Sequence, residues 1–343
     1  MSNGLWMIST IVVAFVVTAV SGIWLLPVLR KLKFGQTILD IGPSWHKNKQ
    51  GTPTMGGIMF VLGIVLAVVV GFTVYRIGMP SHLSGNTVVT GSPIMKARLF
   101  YGIMLALGYG LIGFADDYIK VVRKQNEGLT EKQKLLLQLL CGTAYLLLMY
   151  MAGDRMTTLI VPFFGSLDIG LLYYPFALFA MLALSNAVNL TDGIDGLLCS
   201  VTFIGGLAYM LIASVLGMWE MNILACAMVG GCLGFLVWNF HPAKVFMGDT
   251  GSLFLGGIII ALAFGTGLPL FILLIGVIYL IEMLSVVIQR FYFKATHGKR
   301  IFKMSPIHHH FELSGWSEMK IVAIFSLITL VGAALAVWAV MLL

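Results

Sequence analysis

Long apolar runs dominate the chain, and short polar segments separate them. Runs of about 17–23 residues have the length that an α-helix needs to cross the hydrocarbon core of a membrane. The nearly continuous apolar stretch 251–289 divides at Gly265-Thr266-Gly267-Leu268-Pro269, because glycine and proline interrupt helices. The pattern predicts an all-α polytopic membrane protein, with one domain over 1–343 and about ten transmembrane helices near 7–29, 55–75, 98–116, 134–152, 172–190, 197–217, 222–240, 251–267, 269–289 and 321–342.

The composition agrees with a membrane protein. Hydrophobic residues make up 59% of the chain and charged residues only 10%, whereas a soluble domain carries about 25% charged residues. The net charge of +7 therefore does not indicate a nucleic-acid partner, since in membrane proteins the position of the charge matters more than its sum. The first run is too long for a signal-peptide core, and we expect it to span. All four cysteines lie in apolar runs, which is typical of small buried side chains.

The distribution of basic residues predicts the orientation. Ten spans place both termini on one side, and the loops on that side hold only four of the 21 lysine and arginine residues: Arg76, Lys96, Arg98 and Arg155. Basic loops stay in the cytoplasm, so we expect both termini to be periplasmic or extracellular. In the outer loops, 159–161 and 166–168 predict a small hairpin. Part of the basic, aromatic segment 290–320 is expected to lie along the cytoplasmic membrane surface.

Five aspartates fall at the predicted cytoplasmic ends of spans: Asp116, Asp117, Asp192, Asp195 and Asp249. Charged groups near hydrocarbon are costly and usually functional. Several anions in one place are explained by a divalent cation, and hard oxygen ligands favour Mg²⁺, with Mn²⁺ as a substitute, over zinc. The sequence therefore predicts a metal-dependent active site on the cytoplasmic face. The alternatives are a solvated acidic pair at a helix end for Asp116 and Asp117, and helix capping, with Asp195 opening the sixth span and Asp249 the eighth.

Other polar groups accompany these acids. Asn186, Asn189 and Asp192 are spaced three apart and would form one row on a helix. Phe246 would stack on a planar base or belong to the core. Three consecutive histidines cannot easily bind one ion because successive side chains diverge. They would contact phosphate or hydroxyl groups, or form a surface basic cluster. The remaining candidates would contact anions or only reflect the bias of basic residues to the inside: Lys49, Thr54, Lys120 and Lys124.

Acids, lysines and helix N-termini on one membrane face suit phosphoryl transfer, which depends on positioning and charge stabilisation. A membrane location suits one lipid substrate and one soluble nucleotide. Four motifs resemble those of the polyprenyl-phosphate N-acetylhexosamine-1-phosphate transferases. Within that superfamily, Gly51–Gly57 and the triple histidine resemble the phospho-N-acetylmuramoyl-pentapeptide transferases. The likeness runs from about Thr52 to Phe311, with Ile194 where leucine is expected. The four motifs are Asp116–Tyr118, Asn189–Gly196, Phe246–Ser252 and Ser305–His310.

The resemblance implies a reaction and a set of partners. Phospho-N-acetylmuramoyl-pentapeptide would pass from UDP-MurNAc-pentapeptide to undecaprenyl phosphate, giving lipid I and UMP. The enzyme would use Mg²⁺, form a homodimer among the lipids of the bacterial cytoplasmic membrane, and be inhibited by nucleoside antibiotics. It implies metal ligands at Asp249, Asp116 and Asp117, which with His308 form the catalytic set. The implied substrate-binding residues are Lys49, Thr54, Lys120, Lys124, Asn189, Asp192, Asp195, Asn239, Phe246, His309 and His310.

Three other functions compete with this interpretation. A sister transferase would use UDP-N-acetylglucosamine as donor and share the same motifs. A cation- or proton-coupled transporter would also need intramembrane acids and ten spans, but transporter sites usually lie near the bilayer midplane within broken helices. A lipid flippase has no need of a crowded metal site. The position of the acids at helix ends on one side favours the transferases.

Overall fold

The chain is described by a computed structural model over residues 4–31, 49–78, 92–123, 125 and 127–343. These residues form helices, one hairpin and short connections. The helices and strands are α1 (Leu5–Lys31), α2 (Ile58–Gly78), α3 (Pro93–Arg123), α4 (Glu131–Met151), β1 (Thr158–Val161), β2 (Gly165–Asp168), α5 (Tyr173–Thr191), α6 (Leu197–Val215), α7 (Trp219–Asn239), α8 (Gly248–Gly265), α9 (Ile272–Ile275), α10 (Val277–Ala295), α11 (Ile307–Glu312) and α12 (Glu318–Met341).

The predicted polytopic helical architecture is confirmed, and the described residues are nearly all helical outside one hairpin. Within the described ranges, nine helices are long and apolar enough to cross a membrane, and a bent pair would make a tenth. The predicted break after Gly265 is also confirmed, because α8 ends there and helical structure resumes at Pro269. The predicted hairpin is present, with β1 and β2 antiparallel and Thr158 opposite Asp168.

Two predicted spans differ from the structure. The ninth span, predicted as 269–289, is not one straight helix, since Pro269–Ile275 and Val277–Ala295 meet at 86°. Gly276 lies at the break, where a Cβ atom would come within 2.9 Å of Tyr279. The third span, predicted to end at 116, continues as helix to Arg123. Backbone hydrogen bonding does not require apolar side chains, so Asp116 and Asp117 lie inside α3 rather than at its end.

Helix α8 forms the centre of the bundle and packs against α3, α5 and α7. The contact with α3 is unusually close because glycines face it. A Cβ on Gly257 would lie 2.5 Å from the Cα of Ala106, and a Cβ on Gly113 would lie 2.0 Å from the carbonyl oxygen of Asp249. Small residues at a helix crossing let two backbones touch. The part of α3 around Gly113 is thereby held directly against the first turn of α8.

The opposite end of the same two helices is fixed by an ion pair. Arg98, in the first turns of α3, donates from Nε to Oδ2 of Asp154 at 2.7 Å and from Nη1 to the carbonyl oxygen of Gly265 at 2.9 Å. Both charged side chains are largely buried. These contacts join the start of α3, the segment after α4 and the end of α8, so α3 and α8 are tied together at both ends.

Candidate active site

Three carboxylates meet where α3 and α8 touch. Asp116 and Asp117 come from α3, and Asp249 comes from the first turn of α8. One oxygen of each lies within 4.8 Å of the others. The side chains of Asp116 and Asp117 are buried, whereas that of Asp249 is 18% exposed. The three acids form a cluster with one open side, and their oxygen atoms are the type of ligand that Mg²⁺ prefers.

The two adjacent aspartates of α3 have different partners. Asp117 Oδ2 accepts hydrogen bonds from the backbone nitrogen and the hydroxyl of Thr250 at 2.8 and 2.7 Å, and Oδ1 accepts from the backbone nitrogen of Asp249 at 3.2 Å. Asp117 therefore satisfies the first N–H groups of α8, which a helix cannot satisfy by itself. Asp116 Oδ1 accepts from the backbone nitrogen of Leu129 at 2.7 Å.

Two lysines bridge Asp116 and Asp249. Lys120 Nζ lies 2.6 Å from Asp116 Oδ2 and 3.1 Å from Asp249 Oδ2. Lys134 Nζ, from the first turn of α4, lies 2.6 Å from Asp249 Oδ2 and 3.1 Å from Asp116 Oδ2. Lys120 is one of the residues predicted from the sequence, whereas Lys134 is not. The basic character of the cytoplasmic loops is enough to explain a lysine at position 134 without a role in the site. Its place at the start of an apolar helix was the only available signal.

The end of α5 supplies one side of the cluster. Asn189 Nδ2 donates to Asp249 Oδ1 at 3.0 Å and to Ser252 Oγ at 2.7 Å. Asp192 follows the helix as its C-cap. Burial of its carboxyl group, with repulsion from Asp249, Asp117 and Asp195, raises the pKa of Asp192 to about 8. The predicted polar row divides here, since Asn186 turns away.

Asn186 belongs to a polar network beneath the acids. Its Nδ2 donates to Gln138 Oε1 at 2.9 Å and to the carbonyl oxygen of Leu182 at 2.8 Å. Gln138 also lies 3.4 Å from Ser185 Oγ. An amide inside an apolar span needs such partners. Asn186 therefore connects α5 to α4 rather than reaching the acid cluster.

Asp195 does not cap α6. The N-cap is Gly196, with φ +74° and no side-chain capping bond. Asp195 Oδ1 instead accepts from Lys49 Nζ at 2.7 Å, and Oδ2 accepts from the backbone nitrogen of Ala243 at 3.0 Å. His241 Nδ1 is also 3.0 Å from Oδ2. The result is a second charged cluster beside the first, joined to it by the turn that carries Asp192.

Three further predicted residues border these clusters. Asn239 is buried, and its amide links two loops, accepting from the nitrogen of Gly196 at 3.1 Å and donating to the carbonyl of Val245 at 2.9 Å. Phe246 is half-buried. Thr54 lies close to the start of α8, since a Cβ on Gly248 would lie 2.8 Å from its Oγ1.

The three histidines lie on the short helix α11 and point to different partners. His308 is fully buried, with Nδ1 3.1 Å from Glu282 Oε2. A Cβ on Gly193 would come 2.0 Å from His308 Nε2, so this ring packs under the turn between Asp192 and Asp195. His309 Nδ1 lies 2.7 Å from Glu312, and His310 Nδ1 accepts from the backbone nitrogen of Lys303 at 3.1 Å. Lys124 lies outside the described residues.

Known proteins resemble this chain over nearly all of its length. The pattern of glycosyl transferase family 4 matches residues 99–267, and phospho-N-acetylmuramoyl-pentapeptide-transferase signature 1 matches 49–61. The phospho-N-acetylmuramoyl-pentapeptide-transferase of Listeria monocytogenes is 46% identical over 332 residues, covering 96% of this chain and 97% of the relative. Proteins of the same name from Desulforamulus reducens and Bacillus subtilis are 46% and 45% identical, covering 94% and 96% of this chain and 94% and 97% of the relatives. With this identity across nearly its whole length, the chain belongs to the phospho-N-acetylmuramoyl-pentapeptide transferase family.

Proposed function

We propose that the protein transfers phospho-N-acetylmuramoyl-pentapeptide from UDP-MurNAc-pentapeptide to undecaprenyl phosphate, releasing UMP and forming lipid I. The observation that carries the proposal is the cluster of Asp116, Asp117 and Asp249, with Lys120 and Lys134 beside it. Phosphoryl transfer requires acids that can hold a metal ion and adjacent cations that can hold phosphate. The family membership supplies the identity of the substrates.

The cluster fits a divalent cation. Its three ligands are carboxylates, and Asp116 Oδ2 is buried, has no hydrogen bond of good geometry, and lies beside the ammonium groups of Lys120 and Lys134. Asp116, Asp117 and Asp249 would hold Mg²⁺, or Mn²⁺ as a substitute. When bound, the ion would neutralise charge on the donor diphosphate and on the leaving UMP. Asn189 fixes the orientation of Asp249 through its 3.0 Å hydrogen bond.

The chemical step is direct. A phosphate oxygen of the lipid forms a bond to the sugar-linked phosphorus of the donor, and the bond from that phosphorus to the bridging oxygen breaks, so UMP leaves with the electron pair. The lipid phosphate needs no strong base, because the second pKa of a phosphate monoester is about 6. Asp116 orients the lipid phosphate, and Lys120 and Lys134 hold the charge of the diphosphate. These two lysines already contact the acids on which the reaction centres.

The donor nucleotide lies beside the acids. Asp192, Asp195, Asn239 and Phe246 surround the nucleoside, with the half-buried ring of Phe246 available to stack on uracil. Lys49, Thr54 and Lys124 contribute contacts to the diphosphate or sugar. Two contacts support this placement: Asp195 binds Lys49, and Asn239 joins the loops that carry Gly196 and Val245. Lys124 is assigned by the family resemblance alone. His309 and His310 border the site, and buried His308 supports it through Gly193.

The site faces the cytoplasm, and the protein lies in the bacterial cytoplasmic membrane with both termini outside. Two observations support this orientation. The segments that border the acid cluster carry most of the lysine and arginine residues, and basic segments remain on the cytoplasmic side. The nucleotide donor is a cytoplasmic molecule, whereas the acceptor is a lipid. By its family resemblance, the enzyme forms homodimers and is inhibited by nucleoside antibiotics.

The test is UMP release by the purified protein with undecaprenyl phosphate, UDP-MurNAc-pentapeptide and Mg²⁺. We expect EDTA to abolish release and Asp249→Asn to lower turnover by about 10²-fold or more, as for loss of a group that stabilises transition-state charge. Asp168→Asn, an exposed aspartate in the distant hairpin, is the matched control and should remain active. Release of UMP from UDP-N-acetylglucosamine instead of the muramoyl donor would identify the sister activity, and turnover in EDTA would contradict the metal site.

A further inference from the structure

One carboxylate on the last helix connects three distant segments of the chain. Glu318 lies in the first turn of α12, with its side chain 8% exposed. Its Oε2 atom accepts from Lys49 Nζ at 2.7 Å and from the backbone nitrogen of Asp195 at 3.1 Å. It also lies 3.8 Å from His241 Nδ1. Glu318 lies outside both family matches, and none of the motifs that indicated the function includes it.

The cluster around Glu318 already contains its own cation. Asp195, His241 and Glu318 offer atoms within 4.8 Å of one another, an arrangement that could hold a metal ion. The ammonium group of Lys49, however, lies 2.7 Å from both carboxylates. The second oxygen of Asp195 accepts from the nitrogen of Ala243. Lys49 therefore balances much of the negative charge of the two carboxylates, and the cluster holds these chain segments together.

The segment that Lys49 begins continues to the acids of the active site. Pro53 O accepts from the nitrogen of Phe246 at 2.8 Å, and the nitrogen of Gly56 donates to Phe246 O at 2.9 Å. The nitrogen of Gly57 then donates to Met247 O at 3.0 Å. Residues 53–57 and 246–247 are thus paired through their backbones, directly before Asp249, and a hydrogen bond of 3.1 Å from the nitrogen of Thr52 to the carbonyl oxygen of Lys49 precedes this pairing. A displacement of Lys49 would be transmitted along this pairing to Phe246.

We propose that Glu318 is a positioning residue for the nucleotide donor, acting through Lys49 and the turn that ends at Asp195. This inference rests on the proposed function, which places Lys49 and Asp195 at the donor. Glu318 holds both groups with one oxygen, so it sets the distance between the start of segment 49–57 and the turn between α5 and α6. Without this carboxylate, Lys49 keeps only Asp195 as its acidic partner in the cluster, and the donor pocket widens.

The experiment measures kcat and the KM of each substrate for Glu318→Gln. We expect the KM of UDP-MurNAc-pentapeptide to rise about tenfold, which corresponds to about 1.4 kcal/mol, with kcat within threefold of wild type and the KM of undecaprenyl phosphate unchanged. Glu131→Gln is the matched control, because Glu131 is an exposed acid in the first turn of α4 and its replacement costs the same helix-dipole interaction. Its kinetic constants should not change.

A double-mutant cycle tests whether Glu318 acts through Lys49. The effect of the Lys49→Ala, Glu318→Gln double variant on the donor KM should be smaller than the product of the two single effects, since both changes remove the contact between Lys49 and Glu318. Effects that multiply would overturn the proposed route. A Glu318→Gln protein with a lower Tm and a donor KM within twofold of wild type would show a structural role only. If this variant cannot be purified folded, Glu318→Asp, which keeps the charge but shortens the reach, should raise the donor KM in the same direction.

Binding of UDP, measured by calorimetry, separates this inference from the proposed function. If wild type binds UDP but releases no UMP from UDP-MurNAc-pentapeptide, the proposed reaction is wrong, while weaker UDP binding by Glu318→Gln would still support the positioning role. If wild type is active and Glu318→Gln binds UDP as tightly as wild type, the proposed reaction stands and the positioning role is wrong.

Discussion

Three acids around one cation would look equivalent. The contacts of Asp116, Asp117 and Asp249 nevertheless predict that removing each acid has a different effect on the stability of the protein. Asp117 accepts hydrogen bonds from two backbone N–H groups and one hydroxyl at the start of α8. Asp249 is bonded to the side chains of Lys120, Lys134 and Asn189. Removing Asp117 leaves one buried and one partly buried backbone donor without this acceptor. Removing Asp249 leaves side chains that still have Asp116 or other groups to contact.

The magnitudes follow from these contacts. An unsatisfied buried donor costs about 1–3 kcal/mol. The bond from the nitrogen of Thr250 is buried and that from the nitrogen of Asp249 only partly buried, so Asp117→Ala should lower the free energy of unfolding by about 2–4 kcal/mol once the Thr250 hydroxyl finds another acceptor. The ion pairs of Asp249 are partly exposed, and such pairs contribute about 0–1 kcal/mol. Both substitutions remove one negative charge from the same cluster, so the relief of repulsion is common to both. The difference between the two losses in free energy of unfolding therefore measures how much Asp117 stabilises the start of α8.

The assay is thermal unfolding of the detergent-purified proteins, followed by tryptophan fluorescence in EDTA so that metal binding does not contribute. At about 2 °C per kcal/mol, Asp117→Ala should lower Tm by roughly 4–8 °C. Asp249→Ala should lower it by about 2 °C or less. An equal or larger loss for Asp249→Ala would refute the assignment of Asp117 as the group that holds the start of α8.

Three further outcomes are expected. Lys134→Met should lower UMP release by about 10²-fold, because charge stabilisation near the diphosphate is lost, whereas exposed Lys132→Met on the same turn should retain activity. In EDTA, protonation of Asp192 should favour the folded state, because its pKa of about 8 in the folded protein exceeds the unfolded value. This contribution to the free energy of unfolding is complete below about pH 4 and is lost as the pH rises through 8. The Tm of Asp192→Asn should vary less with pH, and an unchanged slope would contradict the cause. Gly113→Ala should prevent correct packing of α3 on α8, while Gly142→Ala, whose Cβ would lie 3.4 Å from its nearest neighbour, should be tolerated. Equal expression and equal Tm of the two variants would contradict this prediction.

Hydropathy could predict the helices because membrane spans require long apolar runs, but it could not predict where polar residues remain helical. Hydropathy ends the third span at Asp116, although α3 continues to Arg123. It predicts a continuous ninth span because both arms around Gly276 are apolar, and a bend of 86° depends on backbone angles that hydropathy does not encode. The break at Gly265 was predictable since glycine and proline occur there together.

The site was predictable where several unusual residues occur in one motif. Asp116, Asp117 and Asp249 were visible as acids in apolar surroundings, and the structure brings them together. Lys134 and Glu318 were not visible, because a lysine in a basic loop and a glutamate at a helix start are ordinary features. Their roles depend on long-range contacts, such as the 269-residue separation between Lys49 and Glu318, which one sequence cannot reveal.

The bridging of Asp116 and Asp249 by Lys120 and Lys134 has a thermodynamic consequence. The two ammonium groups offset the repulsion between the two carboxylates. A divalent cation must therefore compete with the ammonium groups for the same carboxylate oxygens. An anionic phosphate that attracts the ammonium groups exposes those oxygens and tightens cation binding. By linkage, the cation strengthens phosphate binding by the same factor. The affinity of this protein for either ion is therefore a property of the pair, and titrations of Mg²⁺ alone should underestimate the affinity during turnover.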